Sequence, residues 1–327
     1  MVRILTANNP ALFFVAIFLS IIFHISAWFY VDDISFLSHH NEPLSRLLWA
    51  EIFPHFFSPK LLFLILNFLF QLGGAWIFND MINNQKFISR KSYIFAMLYV
   101  ICSSLNLTWL FFSPFTFLLF LSTLSFSLLF TLSKQERFYT QLFDLGSLYA
   151  LSSLLYFPSC IIFLFSLFGL YSLRPFILIE FLRILLGILT IMISAYSLYI
   201  LFNFSDQFLP HLLNNAHSTL FYTNWLQKIH IPAIGITILV SLFYLIVPIS
   251  KNIKTRKLIG LFSLLAILIC VSFLIPSAQH HTLFCLTTPI ISFLLGHILI
   301  EYKHRFMPNI IFAVFIITII LSIVLNL

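Results

Sequence analysis

Runs of about twenty apolar residues recur along almost the whole chain, and this recurrence leaves little choice of fold. A helix needs about 20 apolar residues to cross the hydrocarbon core of a bilayer. Apolar runs lie at 11–30, 61–79, 92–112, 114–132, 143–157, 159–173, 183–203, 231–250, 258–275, 282–300 and 309–327, with those at 143–157 and 159–173 short enough to be tilted, half-buried or only partly crossing. Of the 327 residues, 61% are hydrophobic and only 8% are charged, against about 25% charged in a soluble globular protein. So few polar side chains cannot coat a particle in water, so lipid must cover most of the outside. Backbone groups in lipid have to satisfy one another, which leaves helices or a closed barrel. The runs are continuous rather than alternating, and that excludes the barrel. The expectation is an all-α, polytopic transmembrane helical bundle of about 11 spans, forming a single transmembrane domain over residues 1–327.

Ser113-Pro114 and Pro158 interrupt apolar stretches too long for one span, and each is expected at a hairpin turn. The first run follows a short head containing Arg3. It is long for a signal-peptide core and lacks a small-residue cleavage site, so it reads as an uncleaved first span.

The net charge of +7 is explained by topology rather than by nucleic acid, since no basic run is long enough to form a nucleic-acid groove. With the N-terminus in the cytoplasm and the spans alternating, the inner segments hold Arg3, Lys86, Arg90, Lys91, Lys134, Arg137, Arg174, Arg183, Lys251, Lys254, Arg256, Lys257, Lys303 and Arg305. Only Arg46, Lys60 and Lys228 fall outside. That asymmetry follows the positive-inside rule and puts the C-terminus at the outer face. Two outer loops are long, 31–60 and 204–230. From Pro43 to Phe57, Leu44, Leu47, Leu48 and Ile52 recur at helical spacing, with Arg46 and Glu51 elsewhere on the wheel, which predicts a short helix lying in the interface. Phe208 to Leu213 reads the same way.

Polar chemistry gathers on the outer side. Asp32, Asp33, Glu42, Glu51 and Asp206 lie there, as do His39, His40, His55, His211, His217, His230, His280 and His281. A carboxylate at the membrane surface can serve as a general base or hold a metal ion, but Asp32 and Asp33 also suit the water-facing end of a helix. The adjacent pairs His39-His40 and His280-His281 lack the i,i+4 spacing of a helical zinc motif, so no metal site is expected. Cys102, Cys160, Cys270 and Cys285 all sit in apolar runs with no metal or disulfide spacing. The 42 phenylalanines read as lipid-facing and packing residues.

Ionisable residues within the spans are few. Asp80, Asp144, Glu180 and Arg183 fall near inner ends, and Glu180 and Arg183 have the i,i+3 spacing of a pair. His24 and His297 are the deepest titratable groups and read as packing residues rather than proton relays. A secondary transporter coupled to protons or sodium needs midplane carboxylates or broken helices, and neither is evident. No phosphate-binding loop is present for an ATP-driven pump.

Two stretches carry a resemblance. Phe143 to Phe176 opens on Phe-Asp-x-Gly, breaks at Tyr-Phe-Pro and closes on Leu-Arg-Pro-Phe, while Ile4 to Leu12 contains Asn8-Asn9-Pro10. Together they resemble an uncharacterised family of multi-pass bacterial inner-membrane proteins, some of which carry the label of a beta-carotene monooxygenase. Carotenoid cleavage oxygenases bind iron through histidines on a β-propeller, which this composition cannot build. Over roughly residues 1–200 the layout also resembles the membrane half of GT-C-type glycosyltransferases, which use lipid-phosphate sugars. In those enzymes an outward first span leads to an outer loop bearing a catalytic acid and a membrane-parallel helix, and 31–60 fits that description.

The resemblance implies glycosyl transfer from a polyprenyl-phosphate-linked sugar at the outer face of the bacterial inner membrane, with membrane lipid as a partner and no cofactor. Asp32 or Asp33 would take the acceptor proton. His39, His40, Arg46, Glu51, His55 and Lys228 would bind substrate, with Arg46, His55 or Lys228 on the donor phosphate through charge-assisted hydrogen bonds. Two other readings stand beside it. One is a non-catalytic subunit that scaffolds other membrane proteins in an envelope assembly or secretion complex. The other is a passive transporter of an apolar molecule.

Overall fold

A computed structural model of the chain describes residues 11–30, 43–52, 60–85, 88, 91–104, 110–132, 139–173, 177–202, 204, 206, 208, 210, 253–272 and 286–301. Among the described residues the secondary structure is helical, without a strand. In chain order come α1 (Ala11–Tyr30), α2 (Pro43–Ser45, running on as a π-helix over Arg46–Ile52), α3 (Lys60–Asn84), α4 (Ile94–Ser103) and α5 (Pro114–Leu132). There follow α6 (Tyr139–Leu155), α7 (Cys160–Leu173), α8 (Leu178–Leu201), α9 (Ile253–Ser272) and α10 (Thr287–Glu301). Four of the described helices are long and apolar enough to cross a membrane: Ala11–Phe29, Lys60–Asn84, Pro114–Leu132 and Leu178–Leu201. The expected spans at 231–250 and 309–327 lie outside the described residues, as does almost all of the 204–230 loop.

The proline punctuation acts where the sequence places it. Ser113 caps α5 reciprocally: its backbone N–H donates to Thr116 Oγ1 at 3.0 Å, and the Thr116 N–H donates to Ser113 Oγ at 3.4 Å. Pro114 then occupies the first helical position, where its missing N–H costs nothing. Pro158 sits in a 3-10 turn, Phe157–Ser159, closed by the Ser159 N–H on the Tyr156 carbonyl at 3.0 Å. The helices on either side, α6 and α7, pack against each other. The long α8 begins a turn earlier than the apolar run suggests, at Leu178. Glu180 falls in its first turn, where a carboxylate is favoured by the unpaired N–H groups of the helix start.

The 92–112 run differs more. Its helix covers only Ile94–Ser103, and every one of those residues is buried. This helix is a central pillar, touching α1, α3 and α10. At its end Ser103 Oγ and Ser104 Oγ both donate to the Val100 carbonyl, at 3.0 and 2.8 Å. The Ser104 N–H is shared between the Val100 and Ile101 carbonyls, the tightened last turn of a helix end.

Packing relies on two devices. Aromatic rings link helices in series: Phe126 of α5 meets Phe165 of α7 and Phe262 of α9, Phe262 stacks on Phe293 of α10 at 4.7 Å, and Phe293 lies 6.4 Å from Phe95 of α4. Small residues do the rest. A Cβ on Gly146 would run into the Ile184 carbonyl, and one on Gly187 into the Phe143 carbonyl, so α6 and α8 cross backbone to backbone. In lipid, where no water is released on association, close approach of this kind is a main source of helix pairing. Hydroxyls inside the apolar helices are satisfied by their own turns, as with Ser122 on Leu119, Ser125 on Leu121 and Ser166 on Ile162.

The outer surfaces of α1 and α8 are apolar and exposed. Phe14, Phe18 and Phe29 stand out from α1, and Leu182, Leu186, Leu189 and Ile193 from α8. On a water-soluble particle that much exposed side chain would be a liability. On a helix long enough to cross a bilayer it is the lipid-facing side.

Candidate functional site

Two groups of polar residues are placed by the fold. The first caps one end of the bundle, where α1 finishes and α3 begins. Lys60 donates from Nζ to the Trp28 carbonyl at 2.8 Å and lies over the Trp28 ring at 5.2 Å and the Phe111 ring at 5.9 Å. The ammonium thereby satisfies a carbonyl in the last turn of α1. Lysine and tryptophan paired in this way mark the level where helices meet headgroups.

Helix α2 is fastened onto the same end. Trp49 Nε1 donates to the Phe112 carbonyl at 2.9 Å, and its ring packs on Phe112 and Phe117. The Tyr199 hydroxyl donates to the Pro43 carbonyl at 2.8 Å. Leu47 and Trp49 are buried, with Leu44 and Leu48 packed beside them. The short helix expected between Pro43 and Phe57 is thus present over Pro43–Ile52, with its leucines turned to the bundle. What periodicity does not reveal is its π-helical form over Arg46–Ile52. Such wide turns are less stable than α-helix and are frequent at functional sites.

Of the expected site residues, Arg46 opens this π-helix, is half-buried, and lies near enough to the Tyr199 hydroxyl to act on it electrostatically. Glu51 belongs to the same π-helix. Asp32, Asp33, His39, His40, His55 and Lys228 lie outside the described residues. Phe208 packs its ring on Tyr199 at 5.1 Å and on Tyr196 at 5.4 Å. Among the described residues no three His, Cys, Asp or Glu side chains are grouped to hold a metal ion.

The second group is a buried polar seam through α1, α3 and α4. Ser20 Oγ donates to Gln71 Oε1 at 2.5 Å. Gln71 Nε2 donates in turn to Ser103 Oγ at 2.7 Å and Ser104 Oγ at 2.8 Å. One turn along α1, His24 Nδ1 lies 2.7 Å from the Ser20 carbonyl and Nε2 lies 3.0 Å from Asn67 Nδ2. A carbonyl can only accept and an amide NH2 can only donate. Nδ1 therefore carries the proton and Nε2 accepts, so the ring is neutral with both nitrogens satisfied. Its edge meets Phe68 at 5.6 Å. His24 is thus held by hydrogen bonds as well as by packing. His297 is buried against the Phe293 ring at 5.9 Å.

Sequence reasoning passed over Ser20, Asn67, Gln71, Ser103 and Ser104 because it followed charge. The signal was available in spacing: Ser20 and His24, and Asn67 and Gln71, are both i,i+4 pairs that face one side of an apolar helix. Asn67 and Gln71 are seven and eleven residues beyond Lys60, which at the α-helical rise puts them about 10 and 16 Å from that end. Chemically, the seam ties three helices together through uncharged hydrogen bonds and needs no ion.

No family model, curated protein or solved structure matches this chain.

Proposed function

We propose that this chain is a multi-pass membrane protein that acts on a polyprenyl-phosphate-linked sugar at the outer face of the bacterial inner membrane, with a GT-C-like arrangement. The observation that carries the reading is the π-helix Arg46–Ile52, held against the end of the bundle by Trp49 and Tyr199. It follows a first apolar helix and a linking segment that contains Asp32 and Asp33. The surface helix lies at the end of the bundle marked by Trp28 and Lys60.

In this reaction an acceptor hydroxyl oxygen bonds to the anomeric carbon of the donor sugar, the carbon–oxygen bond to phosphate breaks, and polyprenyl phosphate departs. Asp32 or Asp33 takes the hydroxyl proton as general base. Arg46, with His55 and Lys228, holds the phosphate as its charge grows. His39, His40 and Glu51 contact the sugars. The lipid tail lies in the bilayer beside α2.

The test uses the full chain in lipid nanodiscs with a radiolabelled polyprenyl-phosphate sugar and a glycan acceptor. Transfer is expected from the native protein and is abolished by combined Asp32→Asn and Asp33→Asn with unchanged melting temperature. Undiminished transfer by that variant would sink the assignment. A second reading is a non-catalytic subunit of an envelope complex, with a partner's span in place of lipid against the exposed leucine face of α8. It predicts stable co-purification with another membrane protein, lost on replacing Leu182, Leu186 and Leu189 by alanine and indifferent to the aspartates.

A further inference from the structure

The seam borders a small cavity that it does not fill. The cavity has a volume of about 20 Å³ and is walled by Asn67 and Gln71 of α3, Tyr99 and Ser103 of α4, and Thr116 of α5, with phenylalanines completing it. A single water molecule needs roughly 10–15 Å³ on this measure, plus two or more polar partners. Asn67 is 2% exposed, and its Oδ1 has no hydrogen-bond partner among the described residues. A buried amide oxygen left in that condition is costly.

The protons around the cavity are already assigned. Ser103 donates to the Val100 carbonyl and Thr116 to the Ser113 carbonyl. Thr123 donates to the Leu119 carbonyl, so the Tyr99 hydroxyl, 2.9 Å away, is the donor to Thr123 Oγ1. The two amide protons of Gln71 go to Ser103 and Ser104. These hydroxyls therefore turn lone pairs, not protons, toward further partners. Rotating the Asn67 amide would set Oδ1 on His24 Nε2, which would then have to carry a second proton beside the one Nδ1 gives the Ser20 carbonyl, a buried charge without a counter-charge. A guest must be about the size of one water and must bring protons or positive charge to these lone pairs. A bare monovalent cation meets both conditions, but the residues lining the cavity include no carboxylate, and a buried charge without a counter-charge is strongly disfavoured.

We propose that one water molecule binds in this cavity, donating to Asn67 Oδ1 and to a hydroxyl of Ser103, Tyr99 or Thr116. The water extends the seam from α1, α3 and α4 to α5, so that four helices share one polar network.

The test is a high-resolution map of the full chain in nanodiscs, prepared once in sodium chloride and once in choline chloride. A single peak 2.6–3.2 Å from Asn67 Oδ1 is expected in both. Melting temperature is expected to be the same in sodium, potassium, ammonium and choline chloride at equal ionic strength. A cavity without a peak overturns the proposal. So does a peak lost in choline, or a melting temperature raised by one cation alone, either of which makes the site a cation site. As a second variant, Thr116→Val keeps its shape and removes one acceptor; the peak is expected to stay on Asn67, and its loss with the fold intact also overturns the assignment to Asn67.

Discussion

Gly146 of α6 and Gly187 of α8 each lie against the backbone of the other's helix, Gly146 on the Ile184 carbonyl and Gly187 on the Phe143 carbonyl. Neither obstacle is a side-chain tip that could swing away. Replacing either glycine by alanine should therefore force the helices apart, at about 1–3 kcal/mol for overpacking, offset by up to about 1 kcal/mol of helix propensity. Thermal unfolding in detergent should show a lower midpoint for Gly146→Ala and Gly187→Ala. Gly260, where an added Cβ meets no atom of another element within 4 Å among the described residues, supplies the control: Gly260→Ala should unfold at or slightly above the native midpoint.

Gln71 is the hub of the buried seam, bonded to Ser20, Ser103 and Ser104 across three helices. Interhelical hydrogen bonds in membranes average about 0.6 kcal/mol and reach about 1.7. A double-mutant cycle between Gln71→Ala and Ser103→Ala should give a coupling within that range. Zero coupling would mean that the bond forms with no net gain over the separated helices.

The fastening of α2 is open to direct measurement. Tyr199→Phe keeps the ring and removes the donor to Pro43, whereas Trp49→Phe removes the donor to Phe112 together with part of a buried indole. The lost hydrogen bond should cost about 0.5–1.5 kcal/mol in each, with a further cavity cost for Trp49→Phe. Amide hydrogen exchange across Pro43–Ile52 should rise in either variant and rise further in the double variant, with α5 and α8 little changed. Uniform exchange across all three elements would show that these bonds serve the whole bundle instead.

The His24 tautomer makes a sharper claim than burial does. Nitrogen NMR of labelled protein should find Nδ1 protonated and Nε2 bare at neutral pH, as the Ser20 carbonyl and the Asn67 amide require. Asn67→Leu removes the donor to Nε2 and should shift that nitrogen's resonance while leaving Nδ1 in place.

Much of the helical layout was legible because it rests on local chemistry. The 11–30 and 114–132 boundaries agree with α1 and α5, since a run of apolar residues ending in aromatic or proline punctuation leaves few alternatives. The end of α4 was not legible from hydropathy. Leu105 to Phe112 continues the apolar run in sequence, yet the helix ends at Ser103, and hydropathy carries no sign of that end. The π-helical form of Arg46–Ile52 has no local signature, and the anchors of this segment, Phe112 for Trp49 and Tyr199 for Pro43, lie far along the chain. The seam was missed for a different reason: serine, asparagine and glutamine carry no charge, and only their i,i+4 spacing on apolar helices sets them apart.

The glycine crossing also bears on the order in which the protein is put together. Helices α6, α7 and α8 are consecutive, so their close contacts become available as soon as Leu201 has left the ribosome and entered the bilayer. The central α4 has no such advantage. Phe95 rests against Gly296 and Phe293 of α10, which are made long after it. While α5 to α9 are being made, one side of the central helix waits for a partner that does not yet exist.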